Sequence, residues 1–151
     1  MVEEGKPAPD FSLTSDSGDE ITLSKLRGRP VVLYFYPRDD TPGCTTQACG
    51  IRDDWSAFEQ AGAVVLGVSP DSEDSHAKFR QKYGLPFTLL ADPDHELTEQ
   101  YGFWVEKNNY GKKYMGVERS TVVIDADGNV ARVFRRVKPE EHVQQVLTAL
   151  V

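Results

Sequence analysis

Apolar and polar positions change period several times along the chain, and each change marks an expected element. Residues 10–14 and 20–23 alternate in the manner of strands. Residues 15–19 between them, Ser-Asp-Ser-Gly-Asp, are turn chemistry, so an N-terminal hairpin is expected. Ser24 is placed to cap a short helical turn ending at Gly28. The continuous apolar run 31–36 reads as a strand covered on both faces. Ile51, Trp55 and Phe58 then recur at helical spacing, which predicts one helix from Pro42 to about Gln60, closed by Gly62. Residues 63–68 form a second buried strand. Asp71 or Ser72 can cap a helix carrying His76, Phe79 and Tyr83 that stops at Gly84. A strand at 87–90 and a short helix at 93–101 follow. The stretch 107–116, rich in Gly, Asn and Lys, reads as a polar loop. Residues 120–124 and 130–137 read as a hairpin turning at 125–129, and 139–150 as a terminal helix.

Early strands alternate with helices, so they should pair in parallel through right-handed crossovers. The late hairpin adds antiparallel strands. The expected fold class is therefore α/β: a mixed central sheet flanked by helices, in the thioredoxin-like arrangement, with an N-terminal hairpin extension. The length, 151 residues, suits one domain over 1–151, and neither a repeat nor a linker interrupts it.

Composition narrows the function classes. The chain is 39% hydrophobic and 27% charged, as expected of a globular protein with a substantial core. The net charge of −7 argues against nucleic acid or an anionic membrane as main partner. No stretch approaches the roughly 20 apolar residues of a membrane span. Residues 1–6 are acidic and short of apolar side chains, unlike a signal peptide, so the cytosol is the expected location.

Two cysteines are too few for a disulfide scaffold, and it is their placement that carries chemistry. Thr41 suits an N-cap and Pro42 the first helical position. Cys44 then falls in the first helical turn, near the positive end of the dipole, where a thiolate is favoured. An ordinary thiol is only about 3% thiolate at pH 7. Bringing such a thiol to a pKa of about 6 takes roughly 3.4 kcal/mol, and a helix dipole supplies about 0.3–1 kcal/mol. An arginine or several directed hydrogen bonds must supply the rest. Asp39 and Asp40 would oppose a thiolate, so both are expected to face solvent. Five residues along a helix put the Cys44 and Cys49 Cα atoms about 8.6 Å apart, with side chains about 140° apart. A disulfide needs about 4.4–6.8 Å, so these two cannot bond while the helix is intact.

The run from Phe35 to Cys49, FYPRDDTPGCTTQAC, resembles the peroxiredoxins. Pro37, Thr41 and Cys44 reproduce the P-x-x-x-T-x-x-C signature of that family. The placement of Cys49 is similar to that in the Q-type, or bacterioferritin-comigratory, subfamily. GVSPDS, FTLLADPDHELTEQYG and ERSTVVIDADGNV extend the resemblance along the chain. It implies a thiol peroxidase. Cys44 would attack a hydroperoxide and become a sulfenic acid, and Cys49 would resolve it to an intramolecular disulfide. Thr41 would offer its hydroxyl, Pro37 would shield the sulfur, and Arg119 would stabilise the anion. Thioredoxin or glutaredoxin would restore the thiols. No metal, haem or flavin is implied, and a monomer is the expected state.

Two other functions compete with this reading. A thioredoxin-like disulfide reductase would favour a C-x-x-C pair, which the chain lacks. A redox sensor could use the same disulfide without turnover. His76, His95 and His142 are scattered and form no metal-ligand spacing with the cysteines. Trp104, Tyr110 and Tyr114 read as packing residues around the polar loop.

Overall fold

The computed structural model describes residues 1–150. Strands β1 (Ser12–Thr14) and β2 (Glu20–Thr22) pair antiparallel, as their alternation predicts, and a 3₁₀ turn follows at Leu23–Leu26. Ser24 does not cap that turn. Its own N–H is taken instead by Asp10 Oδ1 at 2.9 Å. Next come β3 (Val31–Phe35), α1 (Pro42–Asp53), α2 (Trp55–Gln60), β4 (Val64–Ser69), α3 (Glu73–Tyr83) and β5 (Thr88–Ala91). They are followed by α4 (Glu96–Tyr101), β6 (Trp104–Asn109), β7 (Lys112–Val117), β8 (Ser120–Ile124), β9 (Val130–Phe134) and α5 (His142–Leu150).

Five strands form one mixed sheet in the order β5-β4-β3-β8-β9. β3 runs parallel to β4 and β4 to β5, while β8 is antiparallel to both β3 and β9. Burial on both faces explains why β3 is apolar at every position. Val31, Leu33 and Phe35 face a core completed by Phe11, Leu97, Tyr101 and Phe103. Val32, Tyr34 and Tyr36 face the opposite core, filled by Cys44, Ala48, Ile51, Phe58, Phe79 and Val146. So α1, α2, α3 and α5 cover one face, and the N-terminal hairpin with α4 covers the other.

Several expected boundaries move. The single helix predicted from Pro42 to Gln60 breaks at Asp54, which leaves helical geometry at φ −105°, ψ 23°. The break turns Trp55 onto Phe58 and Phe87. Ser72, not Asp71, caps α3, accepting from Ser75 N at 3.1 Å. The terminal helix starts at His142, three residues later than expected, and the last strand ends at Phe134. The expected polar loop 107–116 is instead part of a two-stranded ribbon, β6–β7, turning at Tyr110 and Gly111 with φ of 53° and 82°. Two positive φ values make the tight turn that matches strand twist.

Candidate active site

The end of β3 and the start of α1 bring the predicted residues to one end of the sheet. Pro37 is half-buried in the loop that follows β3. Thr41 occupies the N-cap position with extended backbone, and its carbonyl accepts from Thr45 N at 2.8 Å. Its side chain makes no capping bond. The hydroxyl donates instead to the Arg38 carbonyl at 2.9 Å. Cys44 is the third residue of α1 and only 2% exposed, whereas Cys49 is half-buried, and both are free thiols. With α1 intact from Pro42 to Asp53, helix geometry keeps the two sulfurs from meeting.

Arg119 arrives from the short connection between β7 and β8, at the end of the strand that neighbours β3. Its Nη1 donates to Gln47 Oε1 at 2.7 Å. Its Nη2 lies 3.1 Å from where a Cβ on Gly43 would stand, so the guanidinium rests on the first turn of α1, beside Cys44. Gln47 is fully buried, and its Nε2 has no partner among the described residues. It lies one turn after Cys44 on the same helix face. Only that i, i+3 spacing could have singled Gln47 out in the sequence.

Two further residues join the site without a local sequence signal. Tyr34 is buried beneath it, its hydroxyl without a partner among the described residues. Burial, and then the Cys44 sulfur and the Asp39 carboxylate, hold its phenol well above the usual range, so it stays O–H. Lys107 of β6 packs its side chain across Gly116, with Cδ 3.3 Å from the place of a Cβ there. Burial lowers the Lys107 amine and the Arg119 guanidinium lowers it further, while the Cys44 sulfur acts the other way. The ribbon therefore brings a cationic side chain within electrostatic reach of Cys44 and Arg119.

Asp39 does not face solvent as expected. It is 8% exposed and bonded to Tyr36, Ser75 and His76. Asp40 does remain exposed, paired with Lys82 Nζ at 2.7 Å and with the Tyr83 hydroxyl. The scattered histidines also separate in role. His76 stands beside Asp39 and Asp71, His95 stacks on Trp104, and His142 meets Thr121 Oγ1 at 2.7 Å.

A mixed sheet presenting a buried cysteine at a helix start under an arginine defines a thioredoxin-like thiol oxidoreductase. Residues 4–133 match the AhpC/TSA family. A relative from Coxiella burnetii bearing the peroxiredoxin bcp name is 52% identical over 149 residues, 99% of either chain. Peroxiredoxin Bcp of Bacillus subtilis is 48% identical over 149 residues, 99% of this chain and 95% of that one. Among solved structures, a PrxQ mutant from Xylella fastidiosa superposes with a TM-score of 0.93 at 34% identity, covering 99% of this chain and 96% of that one. The bacterioferritin comigratory protein of Xanthomonas campestris gives 0.88 at 41% identity, over 93% and 89%. The chain belongs to the AhpC/TSA family, among the peroxiredoxins, and is a thiol-dependent peroxidase. No described helix is long and apolar enough to cross a membrane.

Proposed function

We propose that Cys44 is the peroxidatic residue of a single-domain enzyme over residues 1–151. Its thiolate attacks the terminal oxygen of a hydroperoxide. The O–O bond breaks, the leaving oxygen takes a proton to become water or an alcohol, and Cys44 is left as a sulfenic acid. The Cys49 thiol then attacks the Cys44 sulfur, water leaves, and an intramolecular disulfide forms. A dithiol reductant, thioredoxin or glutaredoxin, exchanges with that disulfide and restores both thiols.

One observation carries this reading. The Arg119 guanidinium sits on the first turn of α1, next to a cysteine that is only 2% exposed. There it can hold an anionic sulfur and the charge that develops on the peroxide oxygen. Thr41 turns its hydroxyl from the Arg38 carbonyl toward the sulfur and the peroxide, and Pro37 shields the sulfur from water. The Xanthomonas campestris relative has been studied for alkyl peroxide reduction, which supports organic hydroperoxides beside hydrogen peroxide as substrates here. Resolution within one chain needs no partner subunit, so the enzyme works as a monomer, in the cytosol, and without a metal or organic cofactor.

Stopped-flow oxidation with hydrogen peroxide, followed by mass mapping, tests this. The wild type should form a Cys44–Cys49 bond. Cys44→Ser should abolish peroxide reduction, and Cys49→Ser should keep the first oxidation but lose recycling by thioredoxin. Full turnover by Cys44→Ser would refute the assignment.

A further inference from the structure

The loop between β3 and α1 carries Pro37 and Thr41 and delivers the chain to Cys44. Whatever fixes this loop fixes the approach to the sulfur. Its middle residue, Asp39, is buried and fully engaged. Tyr36 donates its phenol to Oδ1 at 2.5 Å, Ser75 donates its hydroxyl to Oδ2 at 2.8 Å, and His76 Nδ1 lies 2.7 Å from Oδ2. The Asp39 backbone N–H donates to Asp71 Oδ2 at 2.7 Å, and Ser69 donates its hydroxyl to the same oxygen.

The proton inventory is fixed by geometry. His76 is fully buried, and its Nε2 lies 2.9 Å from the Leu90 carbonyl in β5. A carbonyl only accepts, so Nε2 carries a hydrogen. One more proton must then lie between Nδ1 and Oδ2, since two bare acceptors would repel at 2.7 Å. Either placement of that proton leaves Asp39 and His76 both satisfied, the condition under which a buried polar network rigidifies its surroundings. Ligand-type atoms of Asp39, Asp71 and His76 also lie within 4.8 Å of one another. Both imidazole nitrogens are already committed, however, and the shared proton fills the place of a cation.

We propose that Asp39 and His76 are a positioning pair for the peroxidatic reaction, locking the 37–41 loop onto α3 and β5 so that Pro37 and Thr41 stand correctly about Cys44. This rests on Cys44 being the sulfur that meets peroxide. The two residues are 37 positions apart in sequence, and through His76 Nε2 the pair reaches on to the Leu90 carbonyl of β5. Asp40 adds an exposed second pin to Lys82 and Tyr83. Misplacing a reacting group by about 1 Å can cost about a hundredfold in rate, so a slackened loop should be visible in the first oxidation.

Two substitutions at one position separate positioning from bulk stability. In His76→Asn the amide stands near the place of Nδ1 and keeps the link to Asp39. In His76→Gln the amide reaches the place of Nε2 and keeps only the link to Leu90. We expect His76→Gln to slow oxidation of Cys44 by hydrogen peroxide about tenfold or more, and His76→Asn to stay within about threefold of wild type, although both lower the melting temperature. Ser75→Ala removes a single half-exposed donor and should fold whatever happens at position 76. It should slow the same step with little change in melting temperature. Equal rates in His76→Asn and His76→Gln, or a wild-type rate in Ser75→Ala, would overturn the proposal. A wild-type chain inert to peroxide would instead sink the reading of Cys44, and this proposal with it.

Discussion

Gly43 has no side chain because two neighbours already occupy its surroundings. A Cβ there would stand 3.1 Å from Arg119 Nη2 and 3.3 Å from Pro139 Cγ. Proline can yield little, so the guanidinium must move. Alanine is also a better helix former than glycine by about 1 kcal/mol, which offsets the crowding in stability. Gly43→Ala should therefore keep its melting temperature within a few degrees yet oxidise a few-fold more slowly, because the Arg119 guanidinium must give way by a few tenths of an ångström. Stopped-flow rates beside thermal melts check this; an unslowed Gly43→Ala would take Arg119 out of the reaction. At this scale the sequence is informative only locally. Thr41, Pro42 and Cys44 announce a helix start, but nothing near Arg119 marks it as a partner of Gln47, 72 residues away. Only the family resemblance pointed to it. Asp39 misled for the same reason. A lone aspartate reads as solvent-facing until His76 arrives from another element to share its proton.

Helix α1 owes its persistence to neighbours more than to its residues. Gly43, Thr45, Thr46 and Gly50 are weak helix formers, and no side chain caps its start. What holds it is burial of Cys44, Ala48 and Ile51, the Gln47–Arg119 bond, and packing so close that a Cβ on Gly50 would stand 3.0 Å from Val143 Cγ2. Both flanks are tied to the end of α3: Asp40 to Lys82 and Tyr83, and Arg52 Nη1 to the Tyr83 carbonyl at 2.7 Å. The segment between these ties can unwind without releasing the rest of the chain. Disulfide formation requires it to do so. Amide exchange in a peptide spanning 42–52 should therefore accelerate once the Cys44–Cys49 bond forms, while β3 keeps its protection. Equal exchange in the two redox states would remove the need for unwinding. The ribbon β6–β7 shows where element-level reading fails. Its residues are mostly exposed on both faces, so no alternation of apolar and polar positions marks the strands. The sign that was present, Tyr110-Gly111 at a tight turn, lacked the usual Asn-Gly.

For the whole molecule, the sheet was legible because its two faces impose a rule on every central strand: β3 must be apolar throughout, and it is. What covers those faces sets how the fold responds to acid. His142 opens α5 over the Tyr34 ring, 5.5 Å between centroids, with one nitrogen 2.7 Å from Thr121 Oγ1 and the other without a partner among the described residues. Burial, and then the Arg119 charge, press its pKa down to about 3. Its place at a helix N-terminus also disfavours a cation. In the unfolded chain it would titrate near 6.5. Above that pH it is neutral in both states and adds no pH dependence. As pH falls from 6.5 toward 3, the unfolded chain takes the proton and the folded chain refuses it, so stability drops by up to about 1.4 kcal/mol per pH unit. At pH 4.5 the loss is roughly 2–3 kcal/mol, or about 5–10 °C in melting temperature for a chain of this size. His142→Gln keeps a polar partner for Thr121 but has nothing to titrate. Melts of both proteins between pH 7 and 4.5 should diverge, with the wild type falling more steeply. Parallel curves would mean that His142 takes its proton inside the fold as readily as in the unfolded chain.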